Sequence, residues 1–325
     1  MRRREFIGLM GAAAAWPLGA GAQQARDPPK VGFLFPGPDS MAAARSAPML
    51  EGLRSVGIEA PSQASLITRA TGGDPTRVAP LLAELIAEKV DVIVPLSPQM
   101  VRAARAATST IPIVTFDLES DPLEGGLLAS FAHPGGNVTG VFLDFPDFSR
   151  VWLQFLKEAN PGLARLVVLW DPNTSTVQTR AVAAAVEGAG VKIDVLEIRS
   201  PAGLDAVFDA ASALRPDGVM LLSSPIMSVF SKQMAELAVK HRLPAISLFA
   251  NFARSGGLMA YGPDLDALYR KVGVLIGKVL KGAHPADIPA ERPDRFELVL
   301  NLKTAKDLAL TIPNSLLARA DEVIE

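Results

Sequence analysis

Two hydrophobic periods alternate along the chain. Short, nearly continuous apolar runs recur at Lys30–Phe35, Ser65–Arg69, Asp91–Leu96, Pro112–Phe116 and Leu127–Phe131. A second series follows at Leu166–Trp170, Lys192–Ile198, Asp217–Leu222, Pro244–Leu248 and Gly257–Tyr261. Runs such as Val167-Val168-Leu169-Trp170 are apolar on both sides of an extended chain, as in strands of a parallel sheet covered by helices on both faces. Between them lie stretches with apolar residues at helical spacing: Val78–Glu88, Val177–Glu187, Leu204–Leu214, Ile226–Lys240 and Leu265–Leu280. The first carries Leu81, Leu82, Leu85 and Ile86 on one face. This alternation predicts right-handed strand–helix–strand units. Two such series predict an α/β protein of two doubly wound parallel-sheet lobes. The segment His133–Gly140, with three glycines and a proline in eight residues, separates the series and is read as a hinge turn.

The first residues fit neither period. Met1-Arg2-Arg3-Arg4-Glu5-Phe6-Ile7 is a basic start, followed by a short apolar, alanine-rich run and the small residues Ala20-Gly21-Ala22. This pattern predicts a cleaved export signal over residues 1–22, and Arg3-Arg4 gives it a twin-arginine character. The run is too short and too rich in glycine and alanine to span about 30 Å of hydrocarbon. About 300 residues remain, enough for about two domains. They are mildly acidic once the signal's three arginines and one glutamate are removed, which argues against nucleic acid as a partner. The chain has no cysteine. That excludes disulfides, thiol catalysis and a lipid anchor on a cysteine of this sequence, and leaves stability to the hydrophobic 49% of the residues. The expected product is an exported, periplasmic, monomeric protein.

Signatures of chemistry are sparse. Phe35-Pro36-Gly37-Pro38 follows the first strand where a dinucleotide fold would place a glycine-rich turn. There is no Walker motif and no Gly-x-Ser-x-Gly elbow. The three histidines, His133, His241 and His284, have no second histidine at metal-ligand spacing, so neither a metal nor a cofactor is expected. The acidic stretch Asp117-Leu118-Glu119-Ser120-Asp121 is read as a solvated turn or a polar pocket wall. A minor alternative is a hydrolase that uses Asp117 and Asp171 as paired carboxylates.

In open α/β sheets, ligands sit beyond the carboxyl ends of the strands. Those ends supply Phe35 and Pro36, then Ser97-Pro98-Gln99, then Phe116 and Asp117 in the first half. The second half supplies Asp171 and Asn173, then Ser223-Ser224 before Pro225. Leu-Ser-Pro and Leu-Ser-Ser-Pro echo each other. A serine followed by proline opens a helix, the serine capping free amides and the proline wasting no donor. Such a helix start favours an anionic ligand group by on the order of 0.3–2 kcal/mol. Phe35 and Phe116 are candidate apolar walls. Ser97, Gln99, Asp117, Asn173 and Ser224 are the leading polar contacts.

The runs Asp91-Val-Ile-Val94, Pro134–Gly140, Gly257-Leu-Met-Ala-Tyr-Gly262 and Phe296-Glu-Leu-Val-Leu-Asn-Leu-Lys-Thr-Ala-Lys306, with Ile312-Pro313 and Ala320–Glu325, carry a specific likeness. The mature chain resembles the tryptophan-binding-like branch of ABC-transporter substrate-binding proteins. The resemblance implies a type I periplasmic-binding fold with a ligand held between two lobes. It implies three crossovers, near Gly135–Gly140, Tyr261-Gly262 and Ala290–Phe296. Residues 30–136 plus 262–292 would then form lobe 1, and 137–261 plus 293–325 lobe 2, with Tyr261 added to the candidate site. It implies capture of a small molecule by lobe closure, an aromatic or other amino acid or an organic acid, for an ABC permease in the inner membrane. A sensory module for a membrane receptor would share the site. The chain departs from the branch at Ser97-Pro98-Gln99-Met100 and in a short segment Gly57–Thr71, both in the first lobe.

Overall fold

The computed structural model describes residues 27–325. The expected export signal lies outside the described residues.

The first half builds one layer. Strand β1 (Lys30–Phe35) feeds α1 (Asp39–Ser55), then β2 (Ser65–Ala70), α2 (Val78–Ala87), β3 (Val92–Pro95), α3 (Pro98–Ala107), β4 (Ile113–Asp117) and β5 (Val138–Phe142). These strands form a five-stranded sheet in the order β2-β1-β3-β4-β5, parallel throughout. The second half starts with α4 (Phe145–Ala159), β6 (Arg165–Trp170), α5 (Val177–Val186), β7 (Lys192–Glu197), α6 (Leu204–Ala213) and β8 (Gly218–Leu221). Then come α7 (Pro225–Val229), α8 (Ser231–Lys240), β9 (Ala245–Ser247), α9 (Ala250–Arg254) and β10 (Met259–Pro263). Helix α10 (Leu265–Leu280) precedes β11 (Phe296–Asn301), α11 (Leu302–Asp307), α12 (Asn314–Leu317) and β12 (Glu322–Ile324). The second sheet has seven strands, β12-β11-β10-β9-β8-β6-β7, and only the β10–β11 pair is antiparallel. Burial explains the sequence pattern. Strands β3, β4, β5 and β8 are buried along their whole length, while the edge strands β2 and β7 are mostly half-exposed.

Three expectations change. Leu127–Phe131 is not a strand but a folded-back loop, closed by Ala129 N–H donating to the Pro134 carbonyl (2.9 Å), with Leu128 buried in the core of the first lobe. The expected helix Ile226–Lys240 breaks at Phe230 into α7 and α8. The Pro134–Gly140 turn is not where the chain leaves the first sheet, since Val138–Phe142 forms β5 against β4. Gly140 sits there because a Cβ would lie 2.1 Å from the Thr115 carbonyl oxygen.

The passages between sheets therefore fall later. The first runs through Leu143 and Asp144, the second at Pro263-Asp264 between β10 and α10, and the third through Arg292–Arg295. Asp144 pairs with Arg292 (3.0 Å), and Asp264 N–H donates to the Arg295 carbonyl (3.0 Å), so the three strands of chain are strapped together. Although α10 follows a strand of the second sheet, it packs on α1 and lies along β3, β4 and β5. Gly52 and Gly273 make that approach possible, each facing a backbone carbonyl of the other helix.

Candidate functional site

The carboxyl ends of both sheets meet, and the residues there come from turns and helix starts. At the end of β3, Ser97 caps α3, its hydroxyl accepting from Met100 N–H at 3.2 Å. Pro98 takes the first helical position, which leaves Gln99 N–H as a forward-facing donor at a ten-residue helix start. Ser224 repeats the arrangement on α7, accepting from Met227 N–H at 3.2 Å. Because α7 is only five residues long, its end carries less of the helix dipole than the long helix expected from sequence. The Ser97→Ala variant is expected to lose about 1 kcal/mol of stability in urea unfolding, with the slope unchanged.

A cavity of about 180 Å³ opens between these two helix starts. The first lobe contributes Pro36, Thr71, Ser97, Pro98 and Gln99. The second contributes Asp171, Asn173, Arg199, Pro225, Ile226 and Phe230. Asp171 stands in the turn after β6, where its Oδ1 accepts from Asn173 N–H (2.9 Å) and from Asn173 Nδ2 (3.0 Å). It is 3% exposed. Burial pushes its carboxyl above the ordinary carboxylate range, against the opposing pull of the Asn173 bonds and the Ser224 hydroxyl. It has no cation within ion-pair distance among the described residues, and Arg199 on the same wall is paired with Glu197. A buried carboxylate without a countercharge thus stands across the cavity from the Gln99 N–H at the start of α3.

Behind Pro36, Pro225 and Val229 lies an inner cavity of about 40 Å³. Phe35, Phe116, Phe249 and Tyr269 give it aromatic walls, with Phe116 edge-on to Tyr269 at 5.0 Å. Glu119 and Ser224 are on its polar side. Burial drives the Tyr269 phenol far above its ordinary range, so it stays neutral.

The expected site residues thus divide. Pro36, Ser97, Pro98, Gln99, Asp171 and Asn173 gather on the outer cavity, and Phe35, Phe116 and Ser224 on the inner one. Asp117 is 1% exposed and turned away from both. Its carboxylate closes the following turn, accepting from Glu119 N–H (2.8 Å), Ser120 N–H (2.9 Å) and the Ser120 hydroxyl. Ser223 is held by Gln178, which accepts from its N–H (2.9 Å) and donates to its carbonyl (2.9 Å). Tyr261 lines neither cavity. It stacks between Phe148 (5.4 Å) and Phe296 (5.7 Å) in the aromatic cluster beneath the crossovers. Arg199 and Phe230 on the outer cavity, and Glu119 and Tyr269 on the inner one, are lining residues that are not among those expected from sequence. Only Glu119 left a signal, in the acidic stretch after β4, and at 7% exposure it is a pocket wall rather than a solvated turn. Among the described residues no group of three or more His, Asp or Glu is placed to hold a metal ion. No described helix is long and apolar enough to cross a membrane.

Two sheet lobes with three strapped crossovers and a cleft at the strand ends have the type I periplasmic-binding fold. The profile of the ABC transporter substrate binding protein family matches residues 36–324, and the chain belongs to that family. It is 28% identical over 239 residues to a tyrosine-binding protein of Clostridioides difficile (strain R20291), a match covering 70% of this chain and 66%, just under two thirds, of that relative. Among solved structures, an ABC domain in complex with L-Trp from Streptococcus pneumonia superposes with a TM-score of 0.83 at 24% identity, covering 91% of this chain and 100% of that one. The ligand-free, open structure of a substrate binding protein with adhesive properties from Clostridium difficile gives 0.66 at 21% identity, covering 91% and 99%.

Proposed function

We infer that this protein captures an L-amino acid with an aromatic or bulky apolar side chain outside the cytoplasm and presents it to an ABC permease without altering it. The observation that carries this reading is the outer cavity, which sets the Asp171 carboxylate of one lobe, without a countercharge, against the Gln99 N–H at the α3 start of the other. An α-amino acid offers an ammonium to the first and a carboxylate to the second, and the proline, isoleucine and phenylalanine walls take the side chain. Ligand contacts on both lobes favour the closed arrangement, because only differential affinity shifts such an equilibrium. The family and the tyrosine-binding relative support the cargo class. The higher TM-score against the L-Trp complex than against the open structure, at equal coverage, accords with a closed cleft. The export signal expected over residues 1–22 fits a periplasmic site of action, and a monomer suffices, since the cavity is complete within one chain.

A thermal-shift series with the twenty L-amino acids, aromatic acids and sugars tests this. An aromatic or large aliphatic amino acid should raise the midpoint, by the equivalent of about 2.7 kcal/mol at one hundred times its Kd, and be recovered unchanged. Turnover of any compound, or stabilisation by sugars alone, would overturn the reading.

A further inference from the structure

The lobes touch through a carboxyl group that has no charged partner. Glu119 follows β4 in the first lobe, and Ser223 follows β8 in the second. The Ser223 hydroxyl donates to Glu119 Oε1 at 2.8 Å, and Ser175 N–H of the second lobe donates to the Glu119 carbonyl at 3.3 Å. Both side chains are more than nine-tenths buried, and no ion pair to Glu119 occurs among the described residues.

Every nearby charge leaves Glu119 without a countercharge. From its own turn, Asp117 faces it with a second buried carboxyl, itself pushed above its ordinary range by burial and already accepting from two N–H groups and a hydroxyl. From α1, Arg45 lines the same inner cavity but is paired with Asp266 of α10 (3.2 Å). From α10, Tyr269 presents a neutral phenol. From α3, Arg102 and Arg105 stand on the far side of Asp117, in a separate groove shared with Asp121 and Glu124, and Glu124 is paired with Arg180 of α5. From the second lobe, Asp171 adds a further carboxyl beside Ser224. A carboxylate at this place would be desolvated and opposed by Asp117, and no cation would compensate it.

We propose that Glu119 and Ser223 form a proton-linked latch, in which the lobes close over their ligand only with a proton on Glu119. The proposal rests on the clamp reading above and concerns the regulation of that same cleft. Protonated Glu119 shares its proton with Asp117 while accepting from Ser223. When the lobes part, water reaches Glu119, the proton is lost at neutral pH, and the charge opposes reclosure. Burial and the Asp117 charge hold the Glu119 carboxyl well above its ordinary range. Closure therefore takes up a proton between the ordinary carboxylate range and the raised one, and alkaline conditions favour release.

The test uses the purified protein, L-tryptophan and L-tyrosine as probes, and the Glu119→Gln variant, which copies a protonated carboxyl. Calorimetric titration from pH 5.5 to 8.5, in buffers of different ionisation enthalpy, reads both Kd and proton uptake. Asp171 contributes its own pH dependence to both proteins, so the difference between them is the signal. We expect the wild-type Kd to rise relative to that of Glu119→Gln by up to tenfold per pH unit, with up to one more proton taken up. Parallel pH profiles and equal proton uptake would overturn the latch. Small-angle scattering of the ligand-free wild type is a second measurement, needed if the variant fails to fold. A smaller radius at pH 5.5 than at pH 8 supports the latch, and an unchanged radius contradicts it. If neither amino acid binds at any pH, the cargo reading fails instead, and scattering alone decides the latch.

Discussion

The Asp171→Asn variant is expected to bind L-tryptophan or L-tyrosine about 30-fold or more weakly than the wild type, with little change in unfolding midpoint. Removing one member of a buried charge pair costs about 2 kcal/mol or more of binding. Here the pair is completed only when the ligand's ammonium arrives, so the cost appears in affinity. The free protein should tolerate the change well, since burial already disfavours the Asp171 charge in the absence of ligand. The wild type should also bind more weakly as acid protonates Asp171, because its raised acidity range brings that loss to a higher pH than for an ordinary aspartate. Calorimetric titration of the variant checks the magnitude. Indole-3-propionate, which lacks the ammonium, is the control and should lose much less. Equal losses for the amino acid and its desamino analogue would remove Asp171 from ammonium recognition.

The Gly273→Ala variant is expected to be destabilised by about 1–3 kcal/mol, although alanine is the better helix former by about 0.5–1 kcal/mol. A Cβ at this position would lie 2.0 Å from the Met49 carbonyl oxygen and 2.9 Å from the Leu53 amide nitrogen, both backbone atoms of α1. Neither can rotate away, so the helices must separate along the seam where Gly273 meets Met49, Gly52 and Leu53 of α1. Equilibrium urea unfolding should show the loss. A stabilised variant would mean that α1 and α10 do not pack at this distance. Gly52→Ala, facing the Arg270 carbonyl at 2.0 Å, should behave alike, and the pair should be non-additive because both open the same seam.

Much of the architecture was legible because buried parallel strands and amphipathic helices have distinct periods. The helix Leu265–Leu280 has the ends its pattern predicts, and Asp264 caps its start, its side chain accepting from Ala267 N–H. What the pattern misjudged were short segments whose burial is set by the rest of the fold. Leu127–Phe131 is apolar enough for a strand, yet it packs as a loop against the first core. Val138–Phe142 contains threonine and glycine, and those residues suit a strand only because β4 presses close to it. A short apolar run has no period of its own with which to resolve these cases. The candidate site was legible as an address. The serine–proline helix starts could be placed at strand ends because their capping chemistry is local. Glu119 could not be matched to Ser223, since their contact joins residues 104 positions apart across two lobes. Tyr261 was drawn in through its place near a crossover, and the aromatic cluster that holds it there is equally non-local.

Capture by the clamp requires the ligand to lie between the lobes, in touch with both. A crystal structure of the protein with the amino acid that stabilises it most tests this directly. The predicted result is one molecule in the cavity between Pro98 and Pro225, its ammonium on Asp171 and its carboxylate at the Ser97–Gln99 helix start. A ligand bound to one lobe alone, or outside this cavity, would contradict it.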